Sequence, residues 1–515
     1  MNLASIKTPG VYINEINAFG NTVVPVATAV PAFIGYTPQA SYEGKSYLNV
    51  PQKITSFSEF QAIYCYPDKN KQYNPEYYLV KQKSLPEKGN FMEIEGDYYS
   101  IVPDANTIYH LYNSIKLFFE NGGSDAYIVS VGSYGAPSGK PMTPGDQIIN
   151  LNVQLKDLTN GLELLKNEEE PTMYICPEAT LLSVADNGTL MQKMLLQNEE
   201  MGTAISILDV IGGRNPDPNT YTNDIQTFRN NTGSNGLKYG TAYYPFIETT
   251  VMQNSDIDYT NLFGGDTKQL EALINPADAP NPAVATIISN LDALTVSQNQ
   301  VALINASKTY AEVVKRILSD ANTLPPSGAI AGVITTTDNE VGPWQSPANK
   351  SIVGAANLPI KLSNSQQENL NVDAVSGKSI NAIRFFNGLG ILIWGARTLD
   401  GNSLDWRYIS VRRTITFIEQ SCKLATHAYV FEPNDANTWK GVISMISSFL
   451  TGIWKQGGLQ GATPADAFSV QCGLGTTMTS EDLLEGLMRV TVKVAVVHPA
   501  EFIVLTFEQQ MAKSS

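Results

Sequence analysis

The sequence predicts an α/β (α+β) fold spread over more than one domain. Between residues 146 and 325, helix-like and strand-like segments alternate, the pattern that builds a sheet with helices on its faces. Ahead of that stretch, a helical period over 108–123 ends in Gly122 and Gly123 and runs straight into the strand-like AYIVSVG. Behind it, two amphipathic helical stretches precede an alternating strand, RVTVKVAVV from Arg489. The length, 515 residues, exceeds what one hydrophobic core usually serves. At roughly 100 to 200 residues per domain, about three domains are expected.

In chain order, TPGVYINEI from Thr8 reads as an extended arm, and ATAVPAFIGYT (27–37) as a buried strand. Residues 64–107, rich in Tyr, Lys, Asn and Pro with little periodicity, read as a small excursion or loop region. GSYGAPSGKPMTPG (132–145) holds four Gly and three Pro and reads as a linker; LPPSG (324–328) marks a second boundary. Between them come helix-like LKDLTNGLELLKN, strand-like TMYICPE, helix-like TLMQKMLLQNEEM, then strand-like TAISILDV and TAYYPFIETTV. APNPAVATIISNLDAL then returns to a helical period.

Further on, Val411, Ile415, Ile418, Cys422, Ala425 and Tyr429 recur at spacings of four and three, with Arg412, Glu419 and Lys423 off that stripe. Trp439, Ile443, Ile446, Leu450 and Ile453 repeat the pattern up to Gly457 and Gly458. In RVTVKVAVV, Val490, Val492, Val494 and Val496 share one face, opposite Thr491 and Lys493. The tail EFIVLTFEQQ contains a last strand-like run, 502–507, that either pairs back as a hairpin or swings outward. The expected organisation is an N-terminal arm (1–25), the first part of a core domain with a small excursion (26–145), an inserted outer acidic α/β domain (146–325), a C-terminal core domain (326–500) and a C-terminal arm (501–515). Extended apolar strands at both extremities need partners, because an isolated strand leaves its backbone donors and acceptors unpaired.

Net charge is −15 and unevenly placed. Residues 146–320 carry 10 Lys plus Arg against 22 Asp plus Glu, whereas 381–515 carry 11 of each. Nothing supplies the basic stripe that displaces counterions from phosphates, so no nucleic-acid binding is expected. Charged residues are only 16% of the chain, low for a fully solvated surface, which points to surface covered by neighbours. Cys65, Cys176, Cys422 and Cys472 lie far apart, signalling neither a disulfide framework nor a zinc site. MNLASIKTPG has no apolar signal-peptide core and no stretch nears the roughly 20 apolar residues of a membrane span, so cytoplasmic synthesis without membrane insertion is expected.

No catalytic, cofactor or metal site is predicted. The GKS triplets at 44–46 and 377–379 have Gln39 and Val372 where a phosphate loop needs glycine. Gly388/Gly390 and Gly473/Gly475 lack the third glycine of a dinucleotide fingerprint. His110, His427 and His498 have no second ligand at helical spacing, and GxSxG is missing. Arg397, Arg407, Arg412 and Arg413 either bind phosphate or pair with nearby Asp400, Asp405 and Glu419, and the neutral local balance favours pairing. The alternative reading of the whole chain is an acidic α/β enzyme with its substrate site within 146–325.

Several separate pieces carry a family likeness: TPGVYINEI, FFENGGSDAYIVSVG (118–132), GPWQSPAN (342–349), FFNGLGILIWGARTL (385–399) and DWRYISVRR (405–413). In their order and spacing the chain resembles the tail sheath proteins of contractile phage tails and related contractile injection systems. The resemblance implies a multidomain sheath-type fold and a structural, non-enzymatic subunit. Such a subunit polymerises helically, as stacked hexameric rings, around an inner tube protein, with baseplate and terminator or cap proteins at the ends. Contraction would drive the tube through a target envelope without nucleotide hydrolysis. The particle would be cytoplasmic, released or membrane-anchored. Arms exchanged between subunits would be Val11, Tyr12, Ile13 and Ile16 at one end and Phe502, Ile503, Val504, Leu505 and Phe507 at the other. Val490, Val492, Val494 and Val496 would form the receiving strand, and Lys440 and Lys455 would face the tube.

Overall fold

The computed structural model describes residues 22–66 and 75–504, so the N-terminal arm residues Val11 to Ile16 and the tail residues Leu505 and Phe507 lie outside the described residues. Two compact units are formed: a larger one from Ala27–Thr416, rejoined at His498, and a smaller one from Phe417–Val497 together with the described residues up to Val26. The division differs from the expected one, because strands from 26–145, 146–325 and 326–500 all enter a single nine-stranded sheet in the larger unit.

That sheet consists of β1 (Pro31–Thr37), β2 (Gln52–Ile54), β3 (Ala126–Ser133), β4 (Met173–Ile175), β5 (Ile205–Asp209), β6 (Gly240–Tyr244), β7 (Lys350–Ser351), β8 (Asn381–Phe386) and β9 (Gly390–Trp394). Its order is β7-β9-β8-β6-β5-β4-β1-β3-β2. The run from β8 to β3 is parallel, and antiparallel strands close both edges. Parallel strands buried on both faces read as continuous apolar runs rather than alternations, and PAFIGYT is buried along its whole length.

Successive residues of each strand feed opposite cores. Ala32, Ile34, Tyr36, Tyr174 and Leu208 join one apolar cluster; Phe33, Met173, Ile175 and Ile207 join the other. The first cluster takes in Leu158, Leu162, Met191 and Phe228 from helices Leu155–Leu164, Val184–Met201 and Tyr221–Asn231. The second is closed by α1 (Leu111–Glu120) and α2 (Ser327–Glu340), through Leu111, Ile115, Phe118, Ile330 and Ile334. Two glycines one turn apart set the α1–α2 contact. A Cβ on Gly328 would stand 2.3 Å from the Ser114 carbonyl oxygen and one on Gly332 2.5 Å from that of Phe118. Gly328→Ala is therefore expected to force the helices apart and cost about 1–3 kcal/mol, as overpacking does. A lowered urea midpoint for the larger unit would register it.

LPPSG is not a boundary: Thr323 and Leu324 form a short buried strand and α2 begins at Ser327. A carboxylate at the end of a strand holds each helix start. Asp209 accepts from Ser327 N–H at 2.9 Å and from Ser327 Oγ at 2.6 Å. Glu178, just past β4, accepts the Tyr36 N–H at 2.7 Å and faces the N–H groups of His110 and Leu111 at the start of α1. Free N–H groups and the helix dipole favour acceptors there.

Burial nevertheless dominates, pushing Glu178 up to about 8 and Asp209 up to about 7 against the offset of those hydrogen bonds. Each carboxyl keeps its proton in the folded chain where the unfolded chain, at about pH 4, has lost it. The stability these two groups contribute is thus fully present below about pH 4 and is lost as pH rises through those folded values. A lower melting temperature at pH 8.5 than at pH 5.5 is expected, with Glu178→Gln narrowing the difference.

The 64–107 region is more ordered than its sequence implies. Tyr77–Gln82, Phe91–Ile94 and Asp97–Pro103 form a three-stranded antiparallel sheet. Its apolar residues alternate with Tyr, Lys and Glu, which concealed the period.

Candidate assembly interface

In the smaller unit, helix α4 (Ala436–Lys455) starts on Asp435, whose side chain accepts from the N–H groups of Asn437 and Thr438. It ends as expected in glycine, with Gly458 N–H returning to the Ile453 carbonyl at 3.0 Å. Val442, Met445, Ile446, Leu450 and Ile453 form its buried face, while Lys440 and Lys455 are exposed. The preceding helix, α3 (Ile409–Thr426), spans the boundary between the two units.

The smaller unit also holds a two-stranded antiparallel ribbon, β10 (Phe468–Gln471) with β11 (Thr491–Val494), pairing Phe468 with Val494 and Gln471 with Thr491. The valine alternation is as read: Val490, Val492 and Val494 are half-buried, Val496 is buried, and Thr491 and Lys493 are exposed. The partner strand FSVQ was not anticipated, since four residues carry too little periodicity to read. Ala495 N–H donates to the Ala467 carbonyl at 2.8 Å, so odd-numbered residues turn their peptide groups towards β10. In an antiparallel pair these groups alternate sides. Val492 and Val494 therefore direct N–H and C=O to the opposite edge, where no strand pairs with β11 among the described residues. Such an edge is a template for an added strand.

The tail belongs to the larger unit. Phe502, Ile503 and Val504 form no strand and are 71, 78 and 85% exposed, three apolar side chains in succession without cover. Just before them, Glu501 is held by Arg397, with Nη2 to Oε2 at 2.7 Å and Nε to Oε1 at 3.0 Å. Asn371 Nδ2 donates to Oε1 at 2.8 Å and Tyr408 OH to Oε2 at 3.0 Å. Burial raises the Glu501 carboxyl; the hydrogen bonds from Arg397 and Asn371, the Arg397 charge and the Tyr408 hydrogen bond outweigh it, leaving it below the usual range.

The arginines thus find partners far along the chain. Arg397 takes Glu501 and Arg413 takes Asp338, rather than Asp400 or Asp405. Arg412, off the apolar stripe, is nevertheless buried, its guanidinium 4.5 Å from the Trp406 ring centre and 5.0 Å from that of Tyr239.

Past the ends of β4, β5 and β6 lies a cavity of about 230 Å³, lined by His110, Thr180, Gly212, Arg214 and Phe246 among others. Burial and the Arg214 charge hold His110 well below its ordinary value. Among the described residues no three His, Cys, Asp or Glu side chains are grouped to hold a metal, and no helix is long and apolar enough to cross a membrane.

Two family models match: the phage tail sheath protein central domain over residues 279–399, and the phage tail sheath C-terminal domain over 402–510. The tail sheath protein of Vibrio phage KVP40 is 30% identical over 175 residues, 32% of this chain. The matched stretch spans a quarter (25%) of that protein's length. Among solved structures, the helical sheath of the anti-feeding prophage (AFP) in its contracted state is similar at a TM-score of 0.58 and 25% identity, over 98% of this chain and 100% of that one. The sheath complex of an extracellular contractile injection system, PVC, also contracted, shares the fold at a TM-score of 0.58 and 22% identity, over 98% of both chains. These matches define the class, an α/β sheath-type structural protein. Over residues 279–399 and 402–510 the chain matches the tail sheath family. The enzyme alternative has no support among them.

Proposed function

We propose that this chain is the structural subunit of a contractile sheath, polymerising helically around an inner tube and contracting to drive the tube through a target envelope. The observation that carries the reading is the edge of β11 left unpaired among the described residues, in a chain whose Phe502, Ile503 and Val504 are exposed and apolar. A tail strand from one copy and an N-terminal strand from another would complete the ribbon, with Val490, Val492, Val494 and Val496 receiving them. Main-chain pairing persists while rigid units rotate and slide, so copies remain tethered through contraction. A head-to-tail contact that does not close generates a helix. The energy would come from a metastable lattice, with no nucleotide hydrolysis.

Inner tube, baseplate and cap proteins are the proposed partners, and stacked hexameric rings the proposed lattice. Lys440 and Lys455, exposed at the two ends of α4, are the proposed tube-facing residues. Synthesis in a bacterial cytoplasm would precede assembly into a phage tail or tail-like particle. The test is negative-stain imaging of the chain co-expressed with inner tube and baseplate proteins from the same source. Long hollow cylinders are expected; the absence of any polymer would overturn the reading.

A further inference from the structure

The chain leaves the larger unit after Thr416, builds the smaller one and returns at His498. Within four residues of returning it inserts Glu501 into a prepared socket. The Arg397 side chain is 4% exposed and that of Glu501 19%. Arg397 is itself fixed: its N–H donates to Asn381 Oδ1 at 2.8 Å, its carbonyl accepts from Thr241 Oγ1 at 3.1 Å, and Nη1 reaches the Asn371 carbonyl at 3.3 Å. Asn381 and Thr241 lie on β8 and β6, so the socket is tied to the central sheet. The next three residues are the exposed apolar run.

A tail that merely hangs free gains nothing from a buried, bidentate ion pair at its root. A strand that must reach another copy does gain from one. The tether then has its origin at residue 502, directly after the latch. A shorter tether with a fixed origin raises the effective concentration of the strand at its acceptor and narrows the registers it can sample.

We propose that Glu501 is a positioning residue for strand donation: its latch on Arg397, Asn371 and Tyr408 fixes where the C-terminal arm leaves its own subunit and thereby which register the arm takes on a neighbouring β11. The inference rests on the sheath reading above.

The test is disulfide trapping between copies. Ile503→Cys is combined in turn with Val490→Cys, Val492→Cys and Val494→Cys, and yields are compared with and without Glu501→Gln. Glu501→Gln keeps the side chain's shape and removes the charge. With the latch intact, one pairing is expected to dominate by at least tenfold. With Glu501→Gln, yields are expected to even out to within about threefold, and the swap Arg397→Glu/Glu501→Arg is expected to restore the bias. A merely structural role would lower all yields together without redistributing them. If cylinders form and Glu501→Gln leaves the dominant pairing unchanged, the latch inference is wrong and the sheath reading stands. If no cylinders form from the unaltered chain with its tube protein, the sheath reading itself fails.

Discussion

Chains ending at Glu501 are expected to fold as monomers and to form no cylinders at concentrations where the full chain polymerises completely. The truncation removes 14 residues. The first three of these are 71 to 85% exposed and contribute nothing to either described core. The melting temperature should therefore shift by less than about 1 °C, since surface changes away from packed or paired groups usually stay within about 0.5 kcal/mol. The Glu501 latch is retained. Under the proposed strand exchange assembly has no such tolerance, because the backbone groups of Val492 and Val494 would lose the strand proposed to pair them. Sedimentation velocity and negative-stain imaging of the same sample check both halves. Undisturbed cylinder growth would mean that the tail is not the tether.

Arg413→Ala is expected to cost the larger unit about 3–5 kcal/mol, the penalty for breaking one side of a buried pair. Arg413 Nη1 and Nη2 meet Asp338 Oδ1 and Oδ2 at 2.8 and 2.5 Å, with side chains 5% and 1% exposed. Nη2 also donates to the Thr28 carbonyl at 2.7 Å, joining α3 and α2 to the approach to β1. Removing the guanidinium leaves the Asp338 carboxylate in the interior without its counter-charge. Removing both charges, as in Arg413→Met/Asp338→Leu, should cost far less, because a buried pair repays its own desolvation only partly. Arg413→Lys should fall between, keeping the charge but losing the planar fork. Denaturant unfolding of the three variants beside the unaltered chain ranks the losses. An Arg413→Ala loss below about 1 kcal/mol would show that the pair is solvated.

Much of the local structure was legible. PAFIGYT, the 108–123 helix with its glycine stop and the α4 stripe are continuous local patterns, and periodicity reports which face of an element is buried. Other elements were hidden for physical reasons. FSVQ is too short to have a period, and Tyr77–Pro103 mixes aromatic with charged side chains because its sheet is only partly covered. Glu178 and Asp209 looked like two acids in an acidic stretch. Their role comes from lying at the ends of parallel strands, beside helix starts far off in sequence. Trp406 and Tyr239 explain the burial of Arg412, and neither ring is on its helix.

The amino-acid order alone determined the α/β class, the apolar faces of individual helices and strands, and the valine alternation of 490–496, because each depends on residues within a few positions of one another. Tertiary structure decided which strands share a sheet, that FSVQ pairs with β11, and that Arg397 meets Glu501 while Arg413 meets Asp338. Those partners lie 104 and 75 residues apart. Long-range pairing is chosen by the packing of whole layers, and a charge in a linear sequence carries no mark of the opposite charge it will be buried against.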